Sequence, residues 1–387
     1  MKQGKNIILY HTLSSLYALG LSLWAGTIYL YMHQAGYSYG QINLFLALFW
    51  LVTCLTEIPS GYLADRFGAL KMTFYSALFR GSGLLLLASV RHELIILVLS
   101  ACLTALGDSL YSGTLTSWIV EQTKNQKLDQ GKLFSNNYVL VSAVSFVGGY
   151  FGADLLGNIE LKLPLISGAV ILFLVGIIAL FCKDRDRLAD KNSPKKLPHF
   201  TFKGLLSERE LLKTMVLFLP LTFITVGPYN QWQLYFQHGR KVKTGLILVG
   251  IDLCGILGAS LFPKVAKLKL STEKLFLAHV LVIALSVCLL VLSSNYYLAV
   301  AFMWLHVVLC ALAEILQTKI LHEQIHNELR TTWISVNNTL EALVTTAALA
   351  LNGFIADRFG LGNAWLFLTL LGFSATFIWY GYQKKHA

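Results

Sequence analysis

Charged residues are scarce in this 387-residue chain, because 13% of its positions are Asp, Glu, Lys or Arg whereas 56% are hydrophobic. A soluble domain needs more polar residues to cover its surface, so the composition excludes one. The apolar residues form long runs, and a run of about 20 residues crosses a bilayer core as a helix. Backbone groups in lipid must bond within their own segment, and the runs lack the alternation of barrel strands. The sequence therefore predicts an all-α membrane protein.

Paired cysteines are also absent, because the six cysteines lie singly in apolar segments and none belongs to a Cys-x-x-Cys motif. They predict neither a disulfide framework nor a metal site. No phosphate-binding glycine loop and no cluster of nucleophile, base and metal ligands is recognised, so we predict that the chain is not an enzyme. His322 and His326 lie four residues apart beside Glu323. We interpret this weak metal signal as a solvated loop, and we predict no metal and no cofactor.

Twelve apolar segments are long enough to span a membrane. With the N-terminus placed inside, alternate loops carry 24 Lys and Arg residues inside and six outside, and Arg80 lies within a span; together these are the 31 of the chain. Cytoplasmic loops carry such an excess, so we predict a multi-pass plasma (inner) membrane protein with both termini cytoplasmic. The net charge of +11 is therefore explained by topology, and no nucleic-acid partner is predicted. The predicted spans are 7–31, 40–62, 72–90, 94–118, 133–155, 162–182, 213–237, 245–262, 273–292, 296–318, 332–355 and 362–382.

The longest loop, 183–212, is basic, contains two prolines, and separates six spans from six. We expect a cytoplasmic linker that also contacts anionic lipid headgroups. The predicted domains are therefore an N-terminal six-helix bundle at 1–182, this linker, and a C-terminal six-helix bundle at 213–387.

Similar helix ends recur along the chain, which indicates internal repeats. Span two ends with GYLADRFG at 61–68, span eleven with GFIADRFG at 353–360, and span five with GYFGADLLG at 149–157. The segments 29–42 and 233–247, at the ends of spans one and seven, share an aromatic exit and two glycines around a polar turn, which indicates that the six-helix half is duplicated in parallel. The first motif falls on the predicted inner face and the next two on the outer face. We therefore expect inverted three-helix repeats, which are typical of secondary transporters that rock two halves around a central site.

With these features the chain resembles the major facilitator superfamily (MFS), in its bacterial, drug-efflux-like branch. The sequence EIPSGYLADRFGALK is similar to the family's Gly-x-Leu-Ala-Asp-Arg-x-Gly-Arg-Lys signature, although Ala69 and Leu70 replace two basic residues. The resemblance implies twelve helices in two six-helix bundles. It also implies a conformational latch in which Asp65 binds the N-terminus of span eleven; the alternative is that Asp65 only caps the loop. The latch candidates are Gly61, Asp65, Arg66, Gly68, Lys71 and Glu121.

Ionisable groups at bilayer depth are costly, so each one is a candidate functional group. Arg80 in span three and Asp108 in span four lie at similar depth in neighbouring helices. Two interpretations stay open: a neutralising ion pair, or a proton site on Asp108 that Arg80 tunes. Glu57 precedes Pro59, and binding of free backbone groups is the alternative for it. The candidates for proton coupling are Asp108, Glu341, Asp252, Glu314, Glu57 and Arg80.

Aromatic and amide side chains in the same spans predict a polar, aromatic-rich cavity near the middle of the bilayer. In span seven, GPYNQWQLYFQ places several of them beside Pro228, which is a candidate bend. Trp and Tyr also form belts at membrane surfaces, which is the interpretation we favour for Trp118 and Trp365. The candidate cavity residues are Tyr111, Tyr229, Asn230, Trp232, Asn137, Asn338 and His306.

The sequence therefore predicts a proton-coupled secondary active transporter that works by alternating access and exports small amphipathic compounds or drugs by H⁺ antiport. Arg80 is the only basic residue placed deep in a span, which favours neutral or cationic substrates. Span four lacks the Arg and span five the Gly-Pro pair that drug exporters often carry, so uptake or release of a nutrient or metabolite stays open. A non-transporting receptor or scaffold is the other alternative. The expected partners are a small-molecule substrate, protons and lipid; the proton gradient supplies energy, and a monomer is expected.

Overall fold

The structure is a computed structural model that describes residues 2–89, 92–123, 129–182, 209–237, 244–265, 267, 272–325 and 330–386. Every secondary-structure element within these ranges is helical. The predicted linker lies outside the described residues as far as residue 208.

The first part of the chain forms helices separated by short connections. These are α1 (Lys2–Ala25), α2 (Ile28–Gln34), α3 (Tyr39–Phe67), α4 (Ala69–Ser89), α5 (Leu94–Tyr111), α6 (Thr114–Thr123), α7 (Gln130–Tyr150), a π-helical turn (Phe151–Leu156), the short α8 (Gly157–Ile159) and α9 (Leu163–Phe181). The second part continues with α10 (Arg209–Phe218), α11 (Leu221–Phe236), α12 (Thr244–Val265), α13 (Thr272–Leu292), α14 (Tyr296–Gln324), α15 (Arg330–Phe359) and α16 (Leu361–His386).

Ten helical segments in the described part of the chain are long and apolar enough to cross a membrane. A further span forms if α10 and α11 are taken together across their 41° bend. The bend falls next to Pro220, at the N-cap of α11, whereas Pro228 lies inside α11 without ending it. Helix α4 corresponds to predicted span three, but it carries Lys71 and Arg80 and is not among the ten. The count of twelve spans therefore stays a prediction.

The chain divides into two compact units. The first consists of Met1–Tyr37, Leu48–Pro194 and Lys241–Val249, and the second of Ser38–Ala47, Lys195–Arg240 and Gly250–Ala387. Each unit thus includes the beginning of a helix whose remainder belongs to the other: α3 begins in the second unit, and α12 begins in the first.

Small residues bring the helices of the first unit close together. Helix α4 packs on α5 and α9, and α1 packs on α7 and α9. A Cβ atom on Gly168 would lie 2.6 Å from the carbonyl oxygen of Gly20, so α9 and α1 touch through their backbones. Such approaches compensate for the weak hydrophobic drive between helices in lipid.

In the second unit, α13 packs on α14, while α11, α13 and α15 pack on α16. A Cβ atom on Gly372 would lie 2.5 Å from the carbonyl oxygen of Pro220, so α16 approaches the bend before α11 closely. The same physical rule therefore operates in both units: a glycine at the crossing lets backbone meet backbone.

Both copies of the ADRFG motif end a helix in the same way. Gly68 follows α3 with φ of 100° and Gly360 follows α15 with φ of 83°. Their N–H groups donate to Ala64 and Ala356 at 3.1 and 2.9 Å. Glycine is favoured at a helix end in this left-handed conformation, and a new helix begins at the next residue in both places. The two helix ends are equivalent, while the inverted arrangement of whole repeats stays a prediction.

Candidate functional site

Arg80 and Asp108 form an ion pair between α4 and α5, as their predicted depth indicated. The side chain of Arg80 is 8% exposed whereas that of Asp108 is 37% exposed. The guanidinium Nε has no partner within the described residues, and the group lies 5.8 Å from the ring centroid of Phe49. A buried cation therefore depends on one carboxylate that remains accessible.

A hydrogen-bonded chain positions this pair. The Tyr17 hydroxyl lies 2.8 Å from Ser76 Oγ, and Ser76 donates to the carbonyl oxygen of Gly107 at 2.6 Å. A Cβ atom on Gly107 would lie 2.7 Å from Cβ and 2.8 Å from the backbone nitrogen of Arg80. Glycine is therefore what allows α5 to bring Asp108 against α4 at this depth.

A cavity of about 310 Å³ lies in the first unit beside this chain. Tyr17 and Tyr111 belong to its wall and stack with ring centroids 3.6 Å apart and an interplanar angle of 4°. Asn137 also lines it, and its Oδ1 lies 2.9 Å from Nδ1 of His11. The predicted cavity residues Tyr111 and Asn137 are thus brought together. Pockets of this kind combine apolar walls with a few polar groups that orient a ligand.

A second set of candidates lies in the second unit. Tyr229 in α11 interacts electrostatically with Glu314 and Asp252, and Glu341 interacts with Glu314. Glu341 also accepts a hydrogen bond from Asn337 at 2.8 Å. Within the second unit, the predicted carboxylates Asp252 and Glu314 thus lie near Tyr229, and Glu341 lies near Glu314.

The other predicted cavity residues of the second unit have local partners. His306 is fully buried, with Nδ1 3.0 Å from Ser286 Oγ and Nε2 3.4 Å from Cys310 Sγ. Asn230 donates to the carbonyl of Val226 in its own helix at 2.8 Å. Trp232 is buried and Asn338 is exposed. Of these four, His306 is the one held by side chains of other residues on two sides.

The latch candidates lie at the α3–α4 junction and in α6. Gly61, Arg66, Lys71 and Glu121 are exposed, and the Arg66 guanidinium lies 5.4 Å from the ring centroid of Phe67. The side chain of Asp65 lies outside the described residues, so its docking on α15 stays a prediction. The same holds for the metal candidate, because His326 and the side chain of His322 are not described. Glu57 is exposed on α3, near Pro59.

Sequence reasoning missed several buried polar residues. Asn352 donates to Gln231 at 2.7 Å and to Asn43 at 3.1 Å, and all three side chains are fully buried. The interpretation of Trp118 and Trp365 as membrane-surface belts is wrong, because both are buried, at 5% and 1% exposure. The adjacency of Asn352 to the repeated motif at 353–360 is the signal that could have identified it.

Comparison with known proteins shows which family the chain matches. A family model described as Major Facilitator Superfamily matches residues 11–348. The uncharacterized MFS-type transporter YxaM of Bacillus subtilis (strain 168) is 22% identical over 233 residues, which are 59% of this chain and 57% of YxaM. The multidrug resistance protein MdtH of Sodalis glossinidius (strain morsitans) is 27% identical over 164 residues, 42% of this chain and 40% of that protein. The matched regions thus span less than two thirds of either relative.

Solved structures extend the likeness over nearly the whole chain. A mutant form of the nucleoside transporter NupG superposes with a TM-score of 0.83 at 12% identity, covering 97% of this chain and 99% of that one. At such identity the likeness concerns the fold alone.

Proposed function

The chain belongs to the Major Facilitator Superfamily, and from that membership we propose that it is a proton-coupled secondary active transporter that exports small amphipathic compounds by H⁺ antiport. The observation that supports the proposal most directly is that a single residue connects the Arg80–Asp108 ion pair with the cavity. Tyr17 lines the cavity, stacks on Tyr111, and interacts with both Arg80 and Asp108. The side chain of Tyr17 therefore contacts both the ion pair and the cavity.

The asymmetry of the pair suits proton coupling. The side chain of Asp108 is 37% exposed, whereas Arg80 is buried and stays charged. Protonation of Asp108 removes the charge that compensates a buried guanidinium, and an uncompensated buried charge is costly. Protonation therefore favours a rearrangement of the Arg80–Asp108 pair. Because Tyr17 interacts with the pair and lines the cavity, this rearrangement also changes the cavity wall.

The cavity favours an aromatic, neutral or cationic substrate. Its tyrosine faces attract planar rings and cations, and the side chains of Ser14, Thr116 and Asn137 add polar groups to its wall. The MdtH relatives are named multidrug resistance proteins, which agrees with export of such compounds. Asp252, Glu314 and Glu341 are the alternative coupling carboxylates, and we propose that the protein acts as a monomer with both termini cytoplasmic.

A substrate screen tests this function. The purified protein is reconstituted in liposomes with an acidic lumen, and lumenal pH is followed while lipophilic cations, neutral drugs and nucleosides are added one at a time. The nucleosides are included because NupG is described as a nucleoside transporter. Proton efflux on addition of a lipophilic cation is the expected result. Efflux only with a nucleoside would replace the drug substrate by a metabolite, and no proton movement with any compound would refute proton antiport.

A further inference from the structure

A carboxylate near the end of α15 holds the beginning of α3. Ser38 precedes the first residue of α3, and its hydroxyl donates to Asp357 Oδ2 at 2.9 Å across 319 positions of sequence. Asp357 belongs to the second copy of the ADRFG motif, at the position that Asp65 occupies in the first. Asp357 lies in the last turn of α15, and its contact with a helix start corresponds to the role that the family resemblance implies for Asp65.

Local chemistry explains why the carboxylate binds there. Ser38 Oγ accepts from the backbone N–H of Gln41 at 3.2 Å, and Gln41 Oε1 accepts from the backbone N–H of Ser38 at 3.0 Å. This reciprocal capping box satisfies two free donors of the helix start. The Ser38 hydroxyl proton remains available for Asp357, and a negative charge is favoured near a helix N-terminus. Although residues 36–40 have a Gly-x-Ser-x-Gly spacing, Ser38 is engaged as a helix cap.

Two glycines let the helices approach at this point. A side chain at Gly40 would collide with the carboxylate of Asp357. A Cβ atom on Gly353 would lie 2.7 Å from Cβ of Asn43 and 2.9 Å from Cα of Gly40. The first turns of α3 and the last turns of α15 therefore meet backbone to backbone, which is the geometry that small residues permit between membrane helices.

Below the cap, two further polar contacts continue along the same pair of helices. Asn352 donates to Asn43 Oδ1 at 3.1 Å, and Thr346 Oγ1 lies 3.5 Å from the carbonyl oxygen of Ala47. From one contact to the next, the residue number increases along α3 and decreases along α15, so the two helices run antiparallel. The contacts end at Ala47, where α3 passes from the second compact unit to the first.

A second carboxylate makes the equivalent contact elsewhere. Asp154, in the related motif at the end of predicted span five, accepts from the backbone N–H of Gly245 at 2.9 Å. Gly245 lies in the first turn of α12, and a Cβ there would come within 3.1 Å of Asp154 Oδ1. Asp154 is buried, and its Oδ1 binds this helix start. The same residue type holds two different helix starts, each beside a glycine whose added Cβ would crowd the carboxylate.

We propose that Asp357 and Asp154 are two carboxylate clamps that hold the first turns of α3 and α12 on the predicted outer face, and that their release opens this face during transport. They are the outer counterpart of the latch proposed for Asp65. The proposal rests on the proposed transport function, because only a protein that opens alternately to the two membrane faces needs to release these clamps. It assigns functions to two motif copies that the substrate site does not use.

Hydrogen exchange tests the clamps without any substrate. The full-length protein in lipid nanodiscs is compared with Asp357→Asn and Asp154→Asn by peptide mass spectrometry. Asp357→Asn should speed amide exchange at 39–44 roughly fivefold and leave 244–249 unchanged, while Asp154→Asn should do the reverse. Ser38→Ala removes both the donor of the first clamp and the cap acceptor for the Gln41 N–H, so it should speed exchange at 39–44 at least as much as Asp357→Asn and leave 244–249 unchanged. Equal exchange in all variants, or a rise throughout the chain, would overturn the proposal.

Thiol labelling tests the release. Ala47→Cys is placed at the inner end of the α3–α15 contact and labelled in intact cells with an impermeant maleimide, with the modified peptide quantified by mass spectrometry. Adding Asp357→Asn should speed labelling several-fold, whereas adding Asp65→Asn should not speed it. Unchanged labelling with Asp357→Asn would refute the clamp even if transport is intact. Faster labelling without proton movement for any compound would support the clamp and refute the antiport function.

Discussion

Tyr17 and Tyr111 stack face to face, with ring centroids 3.6 Å apart and planes inclined by 4°. Tyr17 is 1% exposed, whereas Tyr111 is partly exposed, so one ring is fixed and the other presents a face to the cavity. The Tyr17 hydroxyl continues the connection to Ser76, beside Arg80. This continuity is the reason for proposing that substrate binding and proton exchange occur in the same unit.

Removal of the Tyr111 ring should weaken binding of an aromatic cation. Tyr111→Ala is expected to lower affinity about fivefold, because a stacked ring or cation–π contact contributes on the order of 1 kcal/mol. Tyr111→Phe keeps the ring and should bind within about twofold of the original chain. Fluorescence titration of a lipophilic cation in nanodiscs measures both. Tyr138→Ala, at an exposed position of α7, is the matched control; equal affinity for Tyr111→Ala and this control would contradict the assignment.

The two members of the ion pair should differ in their effect on stability. Asp108→Leu leaves a buried guanidinium without its partner and is expected to cost about 3 kcal/mol of unfolding free energy. Arg80→Met leaves a carboxylate that is 37% exposed, so a smaller loss of about 1 kcal/mol is expected. The double variant should be more stable than Asp108→Leu alone. Thermal unfolding in detergent gives the order of stabilities, and strictly additive losses would contradict coupling between the two residues.

Gly107→Ala should disturb the pair without changing any charge. The added methyl would lie within 2.8 Å of Arg80 backbone and side-chain atoms, so α4 and α5 must separate. Overpacking of this kind costs about 1–3 kcal/mol, and we expect a lower unfolding temperature together with loss of transport. Gly255→Ala in α12 is the control, because no atom lies within 4 Å of its added methyl. Normal stability in Gly107→Ala would argue against the close helix contact.

Asn352→Ala should destabilise the second unit. The amide of Asn352 bonds to both Gln231 and Asn43, and its loss leaves two buried acceptors unsatisfied. About 1–3 kcal/mol is expected for such a loss. Asn363→Ala, an exposed position in α16, removes only a bond to a carbonyl of the preceding helix end and should change little. If both variants unfold at the same temperature, the buried amide cluster contributes nothing to stability.

The sequence was sufficient to predict features that depend on neighbouring residues. Hydrophobic length is a local property, so the segments predicted at 40–62 and 273–292 correspond to α3 and α13. Arg80 and Asp108 could be paired because a short loop joins α4 to α5 and fixes them as neighbours. The ADRFG repeat identified two equivalent helix ends because the glycine that follows requires a left-handed conformation at both.

Contacts between distant segments could not be predicted in this way. Ser38 and Asp357 are 319 positions apart, and neither periodicity nor charge pattern indicates which helix start a carboxylate will reach. Tyr17 was missed because a tyrosine in a first span is ordinary until Tyr111 and Ser76 are seen against it. Trp365 was misassigned because its place near a span end resembles that of belt residues, whereas helix packing buries it.

The most direct test of the account compares the original chain with Asp108→Asn in the same liposome assay. Both proteins are reconstituted at equal density with an acidic lumen, and lumenal pH is recorded on addition of a lipophilic cation that both are shown to bind. Since Asn keeps the size of Asp but cannot take up a proton, Asp108→Asn should bind the cation and lose at least about tenfold of the substrate-driven proton efflux. Undiminished efflux from Asp108→Asn would contradict the central claim that the Arg80–Asp108 pair couples protons to transport.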